Sequence, residues 1–110
     1  MAYTIDMIII ETPIFTKYIV SLIADDEYKD LQGFIVNHPD AGKVIPHTHG
    51  LRKLRWAGKG HGKRGGLRII YYWYVPNTIF MLIVYAKADQ EDLTTEQLKK
   101  LSQLVKEWLL

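Results

Sequence analysis

Two apolar segments separated by a turn constrain the fold of this chain more than any other feature. Residues 67–75 consist mainly of β-branched and aromatic side chains, and residues 79–85 form a second apolar run. Pro76 and Asn77 lie between the two runs and are typical turn residues. The sequence therefore predicts a β-hairpin at the centre of the fold.

A third strand is predicted before this hairpin. Residues 51–56 can form a short strand whose side chains alternate between two faces. Lys53 and Arg55 then share one face, and Arg52 lies on the other. The glycine-rich residues 58–66 predict a mobile connection between this strand and the hairpin.

The N-terminal part of the chain has the pattern of a strand followed by a helix. Residues 5–11 form a nearly continuous apolar run, and Thr12 followed by Pro13 is typical of an N-cap and a first helical residue. We therefore expect a helix over residues 13–23. Its predicted apolar face comprises Phe15, Tyr18, Ile19 and Leu22.

A second helix is expected directly afterwards, antiparallel to the first. Asp25 or Asp26 can cap it, and residues 37–39 end it because the last of them is a proline. Its predicted apolar residues are Tyr28, Leu31, Phe34 and Ile35. Residues 40–50 contain two glycines and a proline and are predicted to be a loop.

The C-terminal residues predict a last helix. Thr94 and Gln97 have the spacing of a capping box, in which each side chain bonds the backbone of the other residue. The predicted apolar stripe is Leu98, Leu101, Val105 and Trp108. The whole order predicts one α+β domain over residues 1–110, with two N-terminal helices packed on one face of an antiparallel sheet and a C-terminal helix.

The composition excludes several classes of protein. The chain has no cysteine, so neither a disulfide framework nor a thiolate metal site can form. The longest apolar run, residues 79–86, is far shorter than a membrane-spanning helix, and the N-terminus has no signal-peptide pattern. We therefore expect a cytoplasmic protein with no membrane partner.

Charge is distributed unevenly behind a net charge of only +2. Residues 1–40 are mainly acidic, whereas residues 41–88 hold nine Lys and Arg side chains and no Asp or Glu. Such an asymmetry is typical of a surface that faces phosphate groups. The alternative is a solvated basic loop without a ligand.

The predicted strands place several of these positive charges on one face of the sheet. If residues 51–56 and 67–75 are neighbours, Lys53 and Arg55 lie on the same open face as Arg68. Like charges opposed on a sheet repel, so this arrangement is favourable only when an anion lies between them. Tyr72 and Tyr74 share the face of Arg68, where they can stack on RNA bases or simply cover the edge of the core.

No metal site is predicted. His47 and His49 are two residues apart, but a zinc site needs three or four ligands and neither a cysteine nor a nearby carboxylate completes one. RNA can instead be cleaved without a metal when its 2′-OH attacks the adjacent phosphate. That reaction needs a base, an acid and cations at the phosphate. Lys53, Lys87 and His61 are all candidates for proton transfer, and the residues alone do not choose among them.

The central block of the chain resembles a known family. The segments GLRKLR (residues 50–55), GHGKRGG (60–66) and LRIIYY (67–72) are similar to the HigB-like branch of the RelE/ParE toxin superfamily. Residues 11–28 and 85–101 are also similar, so the resemblance covers nearly the whole chain. It implies a RelE-like fold and a toxin of a type II toxin-antitoxin system that cleaves mRNA on the translating ribosome. It further implies no cofactor and inhibition by a cognate antitoxin, which we expect to be a helix-turn-helix protein.

The resemblance assigns roles residue by residue. The family's basic pair falls on Lys53 and Arg55, its arginine on the following strand on Arg68, and its lysine after the last strand on Lys87. We expect these four residues to be catalytic. The residues expected to bind RNA or the ribosome are Arg52, Lys59, His61, Lys63, Arg64 and Tyr72.

Three positions depart from the family pattern. Thr94 stands near the place of a tyrosine that RelE-type relatives carry, and His61 replaces a lysine of the glycine loop. His47 and His49 replace a glycine-rich run. A ParE-like inhibitor of DNA gyrase without nuclease activity and a non-catalytic RNA-binding module are the alternative functions.

Overall fold

The protein has an α+β fold, which confirms the predicted class. The structure, a computed structural model, describes residues 6–57 and 66–109. Within them the elements are, in chain order, β1 (Ile8–Glu11), α1 (Pro13–Leu22), α2 (Asp25–Asn37), β2 (Lys43–Val44), β3 (Arg52–Trp56), β4 (Leu67–Tyr74), β5 (Thr78–Ala86) and α3 (Thr95–Leu109). None of the helices in these two ranges is long and apolar enough to cross a membrane.

The strands form one mixed sheet in the order β1-β5-β4-β3-β2. β3, β4 and β5 pair antiparallel, as predicted, but β1 pairs parallel to β5 at the edge. The expectation of an entirely antiparallel sheet is therefore wrong. Parallel pairing needs a long crossover, and the chain between β1 and β5 supplies it.

The predicted loop over residues 40–50 contains a short strand. β2 pairs antiparallel with β3, which places Lys43 opposite Lys53 and Val44 opposite Arg52. The preceding residues are held by Tyr71, whose buried hydroxyl accepts a hydrogen bond from Gly42 N at 2.9 Å and donates one to Pro39 O at 2.7 Å. A side chain at Gly42 would collide with this ring, because its Cβ would lie 2.8 Å from Tyr71 Cε1.

The helix starts follow the sequence with one exception. Thr12 caps α1, since the N–H of Phe15 donates to Thr12 Oγ1 at 3.1 Å. In α3 the capping box of Thr94 and Gln97 is present in both directions, at 3.1 and 2.9 Å. The expected cap of α2 is wrong, because Ala24 holds the cap position. Asp25 and Asp26 lie instead in the first turn, where their negative charge is favourable next to the positive end of the helix dipole.

Both faces of the sheet are covered, whereas the sequence predicted helices on one. We call them the α1–α2 face and the α3 face. The buried residues of the α1–α2 face include Phe15, Leu31, Leu54, Ile69 and Met81. Those of the α3 face include Leu51, Ile70, Leu82, Leu101 and Val105.

Three residues of the predicted helix faces lie outside these cores. Tyr18 and Phe34 are exposed, and Trp108 is 77% exposed even though it extends the apolar stripe of α3. Leu109, one residue further along, packs against the α3-face core, so Trp108 is exposed because it lies on another side of the helix. Periodicity alone therefore overestimated how much of each helix is covered.

A β-bulge in β5 determines which residues of the two central strands face each other. Tyr71 pairs with Met81, but Ile70 pairs with Ile83, so Leu82 is an extra residue in β5. The hydroxyl of Thr12 donates to the carbonyl of Leu82 at 2.7 Å and fixes the bulge to the start of α1. Beyond the bulge, Tyr85 instead of its neighbour Val84 lies opposite Arg68.

Candidate functional site

Three cations meet on the α3 face at neighbouring strands. Arg55 on β3 pairs directly with Arg68 on β4, and Lys53 pairs with Ile70, two positions along. The prediction that these cations share a face is confirmed. We call Lys53, Arg55 and Arg68 the basic cluster.

Lys43 extends this arrangement to a third strand. It lies directly opposite Lys53 in the register of β2 and β3, so the two side chains share a face, and Lys43 is exposed. Sequence patterns did not indicate that Lys43 lies beside the basic cluster, because residues 40–50 have the composition of a loop. Like charges directly opposite each other destabilise a sheet, and here they occur twice.

The three cations of the basic cluster differ strongly in exposure. Arg55 is exposed, the Lys53 side chain is 26% exposed, and Arg68 is only 8% exposed. The expectation that Arg68 lies on an open face is therefore wrong, because α3 and the segment before it cover much of that face. Nη1 of Arg68 donates to the carbonyl of Leu67 at 3.3 Å. Within the described residues, Arg68 forms no ion pair with a carboxylate.

Two further residues belong to this site and were not assigned by sequence reasoning. Tyr85 lies opposite Arg68 across the β4–β5 register, and its hydroxyl donates to Asp92 Oδ1 at 3.3 Å. Lys53 Nζ donates to the same oxygen at 3.2 Å. Alternation along β5 indicates the face of Tyr85, but nothing in the sequence indicates that Asp92 reaches Lys53.

The electrostatics of these contacts are consistent with a neutral tyrosine beside an ionised carboxylate. Burial raises the pKa of Tyr85 to about 12, and the charge and hydrogen bond of Asp92 act in the same direction. Burial opposes ionisation of Asp92, but the hydrogen bond and charge of Lys53, together with hydrogen bonds from the Leu93 N–H and the Tyr85 hydroxyl, hold the pKa of this carboxyl below its usual value. Tyr85 therefore acts as a hydrogen-bond donor at neutral pH.

Lys87 and Tyr72 lie at different ends of the site. Lys87 follows β5 directly, its backbone N–H donates to Gly66 O at 3.2 Å, and its side chain is exposed. It therefore lies at the end of the sheet where Arg68 is found. Tyr72 is half-buried against the α3-face core and lies beside Gly50, near the opposite end.

Arg52 is separated from the basic cluster. It lies on the opposite face of β3, as predicted, and its Nη1 donates to the carbonyls of Gly42 at 2.8 Å and Asp40 at 3.2 Å. These contacts give Arg52 a structural role in holding the chain before β2. The remaining predicted binding residues, Lys59, His61, Lys63 and Arg64, lie outside the described residues.

The two histidines before β3 have an unusual backbone. His47 has φ 63° and His49 has φ 58°, so both adopt the left-handed conformation that favours glycine. Both are exposed and flank the buried Thr48. In residues 6–57 and 66–109, no group of three or more His, Asp or Glu side chains is arranged to hold a metal ion.

A second surface feature is apolar. A groove of about 550 Å³ lies between α3, β1 and the start of α1, and its wall includes Ile10, Ile14, Phe80, Leu104 and Trp108. No residue of the basic cluster lines it. The charged and the apolar surfaces of the described structure are therefore separate.

The fold and the site define a small α+β domain with a cationic sheet face. A family comparison specifies this class further. Residues 40–110 match the family model of the RelE toxin of the RelE/RelB toxin-antitoxin system. The match covers more than half of the chain and includes β2 to α3, so the chain belongs to the RelE toxin family.

Proposed function

We propose that this toxin is a ribosome-dependent mRNA endonuclease of the HigB-like branch, held inactive by a cognate antitoxin. The observation that carries the proposal is the direct pairing of Arg55 with Arg68, with Lys53 beside them on one face. Folding gains nothing from opposed like charges, whereas a phosphate placed between them is bound by all three. Membership of the RelE family supports a toxin role, and the quoted central motifs support the branch.

The site supplies cations that suit phosphate cleavage by an internal 2′-OH. As negative charge grows on the phosphate oxygens, the fixed charges of Arg55 and Arg68 stabilise it. Both lie on strands, where a backbone holds a side chain more firmly than a loop does. Lys53 and Lys87 complete the catalytic set that the family resemblance implies.

Other cations bind the RNA or the ribosome in this proposal. Lys43 is exposed next to the cluster and can contact the backbone of the bound strand. Tyr72 offers a ring on the same face, on which an unpaired base can stack. We assign Lys59, His61, Lys63 and Arg64 to docking because they belong to a glycine-rich connection.

The proposal is tested by inducing the free toxin in bacteria and mapping transcript ends by primer extension. We expect growth arrest together with new ends inside translated messages, and loss of both on Arg55→Ala. Arg55 is exposed, so this variant keeps the fold. Lys29→Ala is the matched control, because Lys29 is an exposed cation on α2, away from the basic cluster.

The alternative functions give different results in the same cells. Growth arrest with intact transcripts and a fall in gyrase activity would identify the ParE-like function and refute the proposal. Ribosome binding without new transcript ends would identify a non-catalytic RNA-binding module. If Arg55→Ala arrests growth and produces new transcript ends like the wild type, the basic cluster is not the catalytic site.

A further inference from the structure

The ammonium group of Lys53 is held by a carboxylate from a different part of the chain. Asp92 lies between β5 and α3, and its Oδ1 accepts hydrogen bonds from Lys53 Nζ at 3.2 Å and from the Tyr85 hydroxyl at 3.3 Å. The backbone N–H of Leu93 donates to the same oxygen at 3.2 Å. One carboxylate oxygen thus joins β3, at one side of Arg68, to β5 at the other.

The segment that carries Asp92 is fixed at several points. Gln90 Nε2 donates to the carbonyl of Asp92 at 2.7 Å and to Oε1 of Gln97 at 2.9 Å. Oε1 of Gln97 also accepts the N–H of Thr94, and Leu93 is buried in the α3-face core. These bonds hold the backbone at Asp92 in place, and its 63% exposed carboxylate reaches Lys53 from there.

Lys53 needs such a partner to stay where it is. Its long side chain has Lys43 directly opposite on β2 and lies on the same face as Arg55, so its nearest charged neighbours on the sheet repel it. A lysine side chain is flexible and has no fixed geometry of its own. Without Asp92, repulsion and rotamer freedom would move the ammonium group away from the cluster.

We propose that Asp92 is a positioning residue, which holds the Lys53 ammonium group at the place where the phosphate of the RNA substrate is bound. The inference rests on the proposed nuclease function and deepens it. Tyr85 contributes by donating to the same oxygen, which orients the carboxylate. Asp92 does not act as the general base, because a carboxyl whose pKa lies below its usual value binds a proton too weakly at neutral pH.

The test is single-turnover cleavage of mRNA on saturating translating ribosomes, with ribosome affinity measured separately. Asp92→Asn keeps the size and the hydrogen-bonding oxygen but removes the charge. We expect cleavage to fall by about tenfold or more while ribosome affinity stays the same or increases, because the surface becomes more positive. Glu91→Gln is the matched control, since it removes the same charge from an exposed neighbour and should cleave like the wild type.

A double-mutant cycle with Lys53→Ala identifies the route of the effect. If Asp92 acts through Lys53, Asp92→Asn has no further effect on cleavage once Lys53 is absent. A second readout does not depend on cleavage: acetylation of Lys53, followed by mass spectrometry, should be faster in Asp92→Asn than in Glu91→Gln.

The outcomes separate the two proposals. Wild-type toxin that leaves ribosome-bound mRNA intact refutes the nuclease function itself. If the wild-type toxin cleaves mRNA and Asp92→Asn cleaves it equally fast, only the positioning role is refuted. The same holds if Asp92→Asn lowers the cleavage rate as much in the Lys53→Ala background as in the wild type. An unchanged acetylation rate of Lys53 also refutes it.

Discussion

Replacing Arg68 by methionine should make the protein more stable and far less active. Arg68 is 8% exposed, lies directly opposite Arg55 in the strand register, and has no carboxylate partner in the described residues. Burial of a charge without a paired charge is costly, and each cross-strand like-charge pair costs roughly 0.2–1 kcal/mol. Methionine is unbranched and apolar, fills a comparable space and removes both costs.

The size of the effect follows from these contributions. Loss of the hydrogen bond to Leu67 O costs about 1 kcal/mol, and removal of the buried charge and its repulsion should exceed this by about 1–2 kcal/mol. We therefore expect the free energy of unfolding in urea to rise by about that amount. In the proposed nuclease reaction, cleavage should fall about a hundredfold, which corresponds to the roughly 3 kcal/mol that one fixed charge supplies to a transition state.

Arg55→Met is the comparison that isolates burial. It removes the same cross-strand repulsion, but Arg55 is exposed, so the gain in stability should be smaller. Unfolding of both variants is followed by circular dichroism in urea. A loss of more than about 1 kcal/mol for Arg68→Met would show that Arg68 stabilises the fold, and would refute the inference that it is kept for function at a cost in stability.

Two further changes test other parts of the structure. His47→Gly and His49→Gly should each raise the free energy of unfolding by about 0.5–1 kcal/mol, since glycine relieves the left-handed backbone at a smaller entropic cost; a loss in urea titrations would instead show that the imidazoles make stabilising contacts. Tyr85, beside Asp92 and Arg68, has a pKa of about 12 in the folded protein against an ordinary value of 10.0. Its contribution to the free energy of unfolding is therefore complete below pH 10 and is lost as the pH rises towards 12, by at most about 1.4 kcal/mol per pH unit. Tyr85→Phe should make the free energy of unfolding fall less steeply in that pH range, whereas Tyr74→Phe, at an exposed position, should follow the wild type. Equal slopes for the two variants would contradict the raised pKa of Tyr85.

Features that depend on neighbouring residues were predictable from the sequence. The hairpin of β4 and β5, the cap at Thr12 and the capping box of α3 each arise from side chains within a few positions of one another. The shared face of Lys53, Arg55 and Arg68 follows from alternation once the strands are recognised. Local patterns therefore predicted most of the elements and the centre of the site.

Features that depend on distant parts of the chain were not predictable. β1 pairs parallel with β5, a residue range about 70 positions further along the chain. The bulge at Leu82 shifts the β4–β5 register by one residue, and no glycine in the sequence marks it. The burial of Arg68 depends on what covers the α3 face. The contact of Asp92 with Lys53 joins residues 39 positions apart, and no periodicity encodes it.

The edge position of β1 has a consequence for how the protein is made. Among the strands that the structure describes, β1 pairs with β5 alone, and the hydrogen bond from Thr12 to Leu82 joins residues 70 positions apart. At about 5–20 residues per second, the ribosome needs on the order of ten seconds to produce the partner after the N-terminal strand has emerged. During that time β1 has no partner, and the bulge that sets Tyr85 against Arg68 has not formed. A nascent chain therefore carries the charges of the basic cluster before it has the sheet that holds them in place, and the toxin acquires this geometry only after β5 has been synthesised.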